Sequence, residues 1–172
     1  DFGAEVIKLE DPQRGDPLRA WQTDGVSVHW KVYSRNKKSL ALDLKSAKGL
    51  EFAKRLIRRA DVVTENFRPD ALDTLGLGYE ALKSENPGLI YCSLKGFLSG
   101  PYEHRTALDE VVQMMGGLAY MTGPPGQPLR AGTSVNDIMG GMFAAIGILA
   151  ALRERERTGR GQLVQSALFE NN

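Results

Sequence analysis

The stretch DVVTENFRPDALDTLGLGYEALKSENPGLIYCSL, residues 61–94, decides the fold class of this chain. It opens with Asp61-Val62-Val63-Thr64-Glu65-Asn66, a β-rich run, and closes with the apolar run Leu89-Ile90-Tyr91-Cys92-Ser93-Leu94. Both have strand length. Between them a helical stretch around Tyr79 to Ser84 stops at Asn86-Pro87-Gly88, a sequence that ends a helix and starts a turn. Two strands joined through a helix by short connections predict parallel pairing, because a parallel pair needs a crossover long enough to return the chain.

The same pattern extends outward. Upstream, Ser39-Leu40-Ala41-Leu42-Asp43-Leu44 alternates apolar residues at period two and reads as a strand. Ser46 then reads as the N-cap of a helix through Ala60, whose apolar face is Leu50, Ala53, Leu56 and Ile57. Val6-Ile7-Lys8-Leu9 reads as a strand leading into a Pro/Gly/Asp loop from Asp11 to Pro17. Downstream of Gly96 the character changes to two helical segments, about Ala107 to Leu118 and Asp137 to Glu156, separated by a Gly/Pro-rich loop. The reading is an α/β fold, a Rossmann-like parallel sheet with flanking helices. It is one incomplete domain, with a strand–helix part over about 1–96 and a helical part over about 97–172. Ligands of such sheets sit at the carboxyl ends of the strands, so the loops after Leu9, Asn66 and Lys95 are the first candidates for a site.

The 172 residues are 42% hydrophobic and 25% charged with a formal net charge of +1. This balance gives no electrostatic basis for nucleic-acid or membrane binding. Cys92 is the single cysteine, which excludes an internal disulfide and fits a reducing, cytoplasmic setting. In its apolar run it reads as structural. His29 and His104 have no ligand spacing, so no metal site is expected. The strict count of consecutive apolar residues finds no membrane-spanning run. The start at Asp1 and the stop just after Leu168-Phe169 read as ends cut from a longer chain.

Gly76-Leu77-Gly78-Tyr79-Glu80-Ala81 has the spacing of a dinucleotide fingerprint. That motif works only when a strand delivers the chain into the loop and the next helix aims its N-terminus at a pyrophosphate. Here a helical turn, not a strand, precedes it. Gly76 and Gly78 are read as a helix stop and a loop.

Four segments taken together carry a family resemblance. They are Gly3-Ala4-Glu5-Val6-Ile7-Lys8-Leu9-Glu10 with Gly15-Asp16; Asn36-Lys37-Lys38-Ser39 with Leu42-Asp43 and Lys48-Gly49; Asp61 to Pro69 with Leu75-Gly76-Leu77-Gly78-Tyr79; and Thr158-Gly159-Arg160-Gly161-Gln162. In this order and spacing the chain resembles the family III CoA-transferases, which also include the α-methylacyl-CoA racemases. The resemblance implies an α/β fragment of the large domain of a longer, interlocked homodimer. It implies coenzyme A and acyl-CoA as substrates, a small carboxylic acid as partner, and no permanently bound cofactor.

The resemblance places the catalytic aspartate on Asp137, within Gly132-Thr133-Ser134-Val135-Asn136-Asp137-Ile138-Met139-Gly140-Gly141. Read from the residues alone, Asn136 or Asp137 serves equally as an N-cap at the start of a long apolar helix. A carboxylate there is expected to be held ionised by the helix N-terminus. Gly140, Gly141 and Gly147 suggest close approach of another backbone, a ligand or a tightly packed neighbour. By resemblance Asp137 attacks an acyl-CoA thioester, and a mixed anhydride and then an aspartyl-CoA thioester follow. The racemase branch requires a histidine at the position of Leu108, which favours transfer over racemisation; Asp109 remains as a polar neighbour of the substrate. Lys37 and Lys38 are implied to meet phosphate, and Asn66 and Phe67 to flank the nucleotide or pantetheine. Arg68 and Arg14 are further candidates for holding coenzyme A. Asp11 and Thr74 stand where family members often carry arginine, which leaves Arg14 or Arg68 to grip the adenosine end.

Overall fold

The computed structural model describes residues 2–172. It forms two compact units, one reaching to Leu56 and the other spanning Ile57–Asn172.

In the first unit, β1 (Val6–Glu10) pairs in parallel with β2 (Lys37–Ala41), in a register running from Val6 opposite Lys37 to Glu10 opposite Ala41. The short helix α1 (Val28–Tyr33) lies between them in sequence, and α2 (Ala47–Ile57) follows β2. The strand begins two residues earlier than its alternation suggests. Lys37 and Lys38 therefore open β2 rather than precede it, and Asn36 supplies the turn with φ of 60°. Ser46 caps α2 as expected, its hydroxyl accepting the Gly49 N–H at 3.0 Å.

A buried carboxylate organises this unit. Glu10 accepts from Arg19 Nε at 2.9 Å, Ser39 Oγ at 2.7 Å and the Asp16 N–H at 3.0 Å. The Arg19 hydrogen bond does most to hold the Glu10 carboxyl below its ordinary value, against the opposing effect of burial. The Arg19 guanidinium also lies 3.7 Å above the Trp30 ring, so stacking and ion pairing fix one side chain at once. Lys8 pairs with Asp16. The loop after β1 is thus closed by side chains on the strands themselves.

The second unit is a three-stranded parallel sheet in the order β3 (Val62–Glu65), β4 (Ile90–Lys95), β5 (Leu163–Ala167). Between β3 and β4 lies α3 (Tyr79–Leu82). The helices α4 (Asp109–Met115), α5 (Leu118–Thr122) and α6 (Val135–Thr158) separate β4 from β5. β4 is the middle strand, and Ile90, Tyr91, Cys92 and Ser93 are all buried. Burial pushes the Cys92 thiol up to about 11, consistent with a structural cysteine. Gly76 ends a 3-10 turn with φ of 66°, so the fingerprint-like glycines form a helix stop and a loop.

β5 corrects the expectation of a purely helical segment after Gly96. Only Val164 in Leu163-Val164-Gln165-Ser166-Ala167 is β-branched, and the buried end of the strand is Ser166 and Ala167, small residues with weak hydrophobic signal. The expected helix from Ala107 to Leu118 is also divided, because Gly117 takes φ of 91° between α4 and α5.

The segment Thr158-Gly159-Arg160-Gly161-Gln162 steers the chain from α6 into β5. Gly159 takes a left-handed φ of 70° and its N–H closes on Arg155 O at 2.8 Å, the usual helix stop. Gly161 donates to Pro87 O at 2.8 Å, and a Cβ there would stand 2.0 Å from Leu89 O. Of the α6 glycines, Gly147 lies against β5, where a Cβ would meet Val164 Cγ1 at 2.7 Å, whereas nothing lies within 4 Å of one on Gly141.

α6 also qualifies the membrane reading. Its 24 residues are long and apolar enough by composition to cross a bilayer. The strict count missed this because Asp137 and Arg153 bound the apolar stretch on either side, whereas a mean over the helix tolerates a charged residue within the window. Ile138, Met142, Phe143, Ile146 and Leu149 are exposed along it.

Gly161→Ala is expected to lower stability by roughly 1–3 kcal/mol, since the contacting atoms are backbone and cannot turn aside. Gly141→Ala is expected to be neutral or to stabilise by up to about 1 kcal/mol through helix propensity. Urea unfolding of both variants measures the contrast.

Candidate functional site

Asp137 lies in the first turn of α6, three residues after the N-cap Ser134, whose side chain makes no capping hydrogen bond. Among the described residues no hydrogen bond or ion pair reaches the Asp137 carboxylate. Neither Asn136 nor Asp137 is the N-cap. The alternative of an N-cap role for Asp137 therefore falls away, since Ser134 holds that position.

The first turn is held from outside by α4. Asp109 is 3% exposed, and its Oδ1 accepts the Asn136 N–H at 2.8 Å. Its Oδ2 accepts from Gln113 Nε2 at 2.5 Å and Arg130 Nη2 at 3.2 Å. Gln113, one helical turn along and fully buried, donates also to Thr133 O at 3.3 Å and accepts the Ala131 N–H at 2.7 Å. Two side chains of α4 thus grip residues 130, 131, 133 and 136, the segment that delivers Asp137. A buried carboxylate is tolerable only with such donors.

The structure accordingly gives Asp109 a different place from the substrate contact the sequence suggested, because its oxygens face inward and are occupied. Gln113 was missed by sequence reading. Its signal was available: Asp109 and Gln113 are polar residues at i, i+4 on a helix face that also carries Val112. Asn136 is fully buried, donates to Asn172 Oδ1 at 3.4 Å, and keeps its own Oδ1 without a partner among the described residues.

The Asp137 carboxyl is raised above its ordinary value, first by burial and then by the charges of Asp109 and Glu110, with Arg130 opposing. The residue is nevertheless exposed by surface area.

The loop after β3 carries Asn66, Phe67 and Arg68, all exposed. Phe67 is 54% exposed, so it is not a core aromatic. Glu65 shapes this loop from beneath: one carboxylate oxygen accepts the Phe67 N–H at 2.9 Å and the other accepts the Ser93 hydroxyl of β4. The three residues therefore stand together beyond the carboxyl end of a strand, where α/β sheets hold ligands.

The remaining candidates belong to the first unit. Lys37 and Lys38 are exposed on β2; Lys37 Nζ donates to Tyr33 O, and Lys38 Nζ pairs with Glu5 at 2.8 Å. Arg14 is exposed in the loop after β1. Asp11, the departure at that loop, accepts the Gln13 and Arg14 N–H groups at 2.9 and 2.8 Å, which hold its carboxyl below the ordinary value. Thr74, the other departure, turns its hydroxyl to Ala71 O at 2.9 Å. Both departures are turn-forming residues in this chain. Arg19 is occupied with Glu10 and Trp30.

Parallel strands joined through helices define an α/β fold, and the Asp137 carboxylate lies unengaged in the first turn of α6. The chain belongs to the CoA-transferase family III, whose model matches residues 1–172. It is 44% identical to succinyl-CoA–D-citramalate CoA-transferase of Chloroflexus aurantiacus, over 99% of this chain and 44% of that protein. It is 44% identical to succinate–glutarate CoA-transferase of Agrobacterium fabrum, over 99% of this chain and 45% of that protein. A CAIB/BAIF family protein from Brucella suis superposes with a TM-score of 0.93 at 42% identity, over 99% of this chain and 47% of that one. The chain thus spans a little under half the length of these relatives.

A carboxyl whose folded-state value lies above its unfolded one binds its proton more readily when folded. Stability therefore falls as pH rises through and above the ordinary carboxylate range. Asp137→Asn removes this effect. Its urea midpoint is expected to exceed that of the parent at pH 7 and to match it near pH 3; the same difference at both pH values would place the cause in packing instead.

Proposed function

We propose that the protein carrying this chain transfers coenzyme A from an acyl-CoA thioester to a carboxylic acid, with Asp137 as the nucleophile. The observation that carries this reading is the unengaged Asp137 carboxylate, held in place from α4, in a chain whose relatives are named as CoA-transferases. Succinyl-CoA as donor and a short dicarboxylate as acceptor follow the names of the relatives above.

In this reading an Asp137 oxygen adds to the thioester carbonyl, the C–S bond breaks, and a mixed anhydride and CoA thiolate form. The thiolate attacks the Asp137 carbonyl, giving an aspartyl-CoA thioester and releasing the donor acid as its carboxylate. The acceptor carboxylate then displaces the thiolate from Asp137. The thiolate finally attacks the acceptor's acyl carbon, releasing the new acyl-CoA and restoring Asp137. Each step exchanges acyl bonds of similar energy, so no nucleotide hydrolysis is needed. Asp137 must be ionised to attack, and its raised value makes it a better nucleophile once ionised.

Lys37, Lys38 and Arg14 suit the phosphates of coenzyme A, and Asn66, Phe67 and Arg68 its nucleotide or pantetheine. The exposed apolar residues of α6 suit burial against a second copy, as in an interlocked homodimer.

Incubating the full-length protein with succinyl-CoA and quenching with hydroxylamine is expected to yield an Asp137 hydroxamate, seen as a mass shift on its peptide. Asp137→Ala is expected to lose transfer by at least about 1000-fold, since no other group can replace a covalent nucleophile. An active enzyme with unmodified Asp137 would overturn the reading. Deuterium uptake from solvent at the α-carbon without transfer would assign racemisation instead.

A further inference from the structure

We propose that Asp109 is the positioning residue for Asp137: its buried carboxylate fixes the first turn of α6 through the Asn136 amide. The inference rests on the reading of Asp137 as the nucleophile and adds how that carboxylate is aimed.

The two Asp109 oxygens make separate contacts. Oδ1 takes the Asn136 N–H at 2.8 Å. Asn136 and Asp137 are adjacent on a rigid helix, so this bond fixes where the Asp137 side chain begins. Oδ2 takes Gln113 at 2.5 Å and Arg130 at 3.2 Å. The Asp109 side chain is only 2% exposed whereas that of Arg130 is 43% exposed, so Asp109 is the anchor and Arg130 the tethered partner. With all its contacts directed inward, Asp109 positions Asp137 through the Asn136 amide rather than by touching a substrate.

The charges around Asp137 are few. Asp109 and Glu110 face it from α4 and disfavour its ionised form, while Arg130, from the segment entering α6, favours it. On α6 itself the next charged residue is Arg153, more than four turns away. Removing the Asp109 charge takes away one of the two opposing acids, which favours ionised Asp137.

Three variants of the full-length protein separate positioning from folding, with Asp137→Ala as reference. Asp109→Asn keeps an oxygen for the Asn136 amide and removes the charge; Asp109→Ala removes both. The acid limb of kcat/KM reports the ionisation of the free enzyme's nucleophile. It is expected to move to lower pH in both Asp109 variants and to higher pH in Arg130→Gln, whose fold is checked by its thermal midpoint. Misplacing the nucleophile is expected to lower kcat on the order of 100-fold in Asp109→Ala, with Asp109→Asn restoring most of it and KM for acyl-CoA little changed. A kcat in Asp109→Ala within a few-fold of the parent's would overturn the proposal. So would equal kcat losses in the two Asp109 variants in step with lost thermal stability. Full activity in Asp137→Ala would instead overturn the nucleophile reading, whatever the Asp109 variants do.

Discussion

The burial of the Asp109 carboxylate is the constraint on which the site depends. A charge taken out of water must be surrounded by donors, and each donor that meets it is thereby fixed. Here those donors are an amide in the first turn of α6, the Gln113 side chain and the Arg130 guanidinium. α6 lacks a side-chain cap of its own at Ser134, so its N-terminus is completed by another helix. The result is that Asp137 keeps both oxygens clear. A self-capped helix would have used a nearby polar side chain on its own amides.

The same device recurs elsewhere in each unit. Glu10 gathers Arg19, Ser39 and the Asp16 amide, and closes the loop after β1. Glu65 gathers the Phe67 amide and the Ser93 hydroxyl, and shapes the loop after β3. In each case a carboxylate near the end of a strand or the start of a helix turns a flexible connection into a defined one. On the loop after β3, Asn66, Phe67 and Arg68 stand exposed above that support.

Much of this was legible in the sequence where local rules decide. The strands β1, β3 and β4, the cap at Ser46 and the stop at Gly76 follow from alternation, apolar runs and turn chemistry. β5 was not legible, because Ser166 and Ala167 are buried as partners of β4 rather than as hydrophobic anchors. Asp137 could be singled out only through the family resemblance, since by residue type it and Asn136 were equally good caps. What excluded the cap was a tertiary contact, Asp109 on Asn136 across 27 positions, and spacing rules do not reach that far. The upward shift of the Asp137 carboxyl has the same origin: the helix terminus is a local effect, whereas burial and the two opposing acids come from packing.

The place of β4 has a consequence for how the chain is made. Tyr91 to Lys95 of β4 pair with Leu163 to Ala167 of β5, so one edge of the most buried strand has no mate until some seventy further residues have been synthesised. During that interval on the ribosome, an apolar edge bearing Ile90, Tyr91 and Cys92 stays open to any passing strand. Completion of this sheet therefore waits on the Gly159–Gly161 turn, which leads the chain from α6 into β5 beside β4.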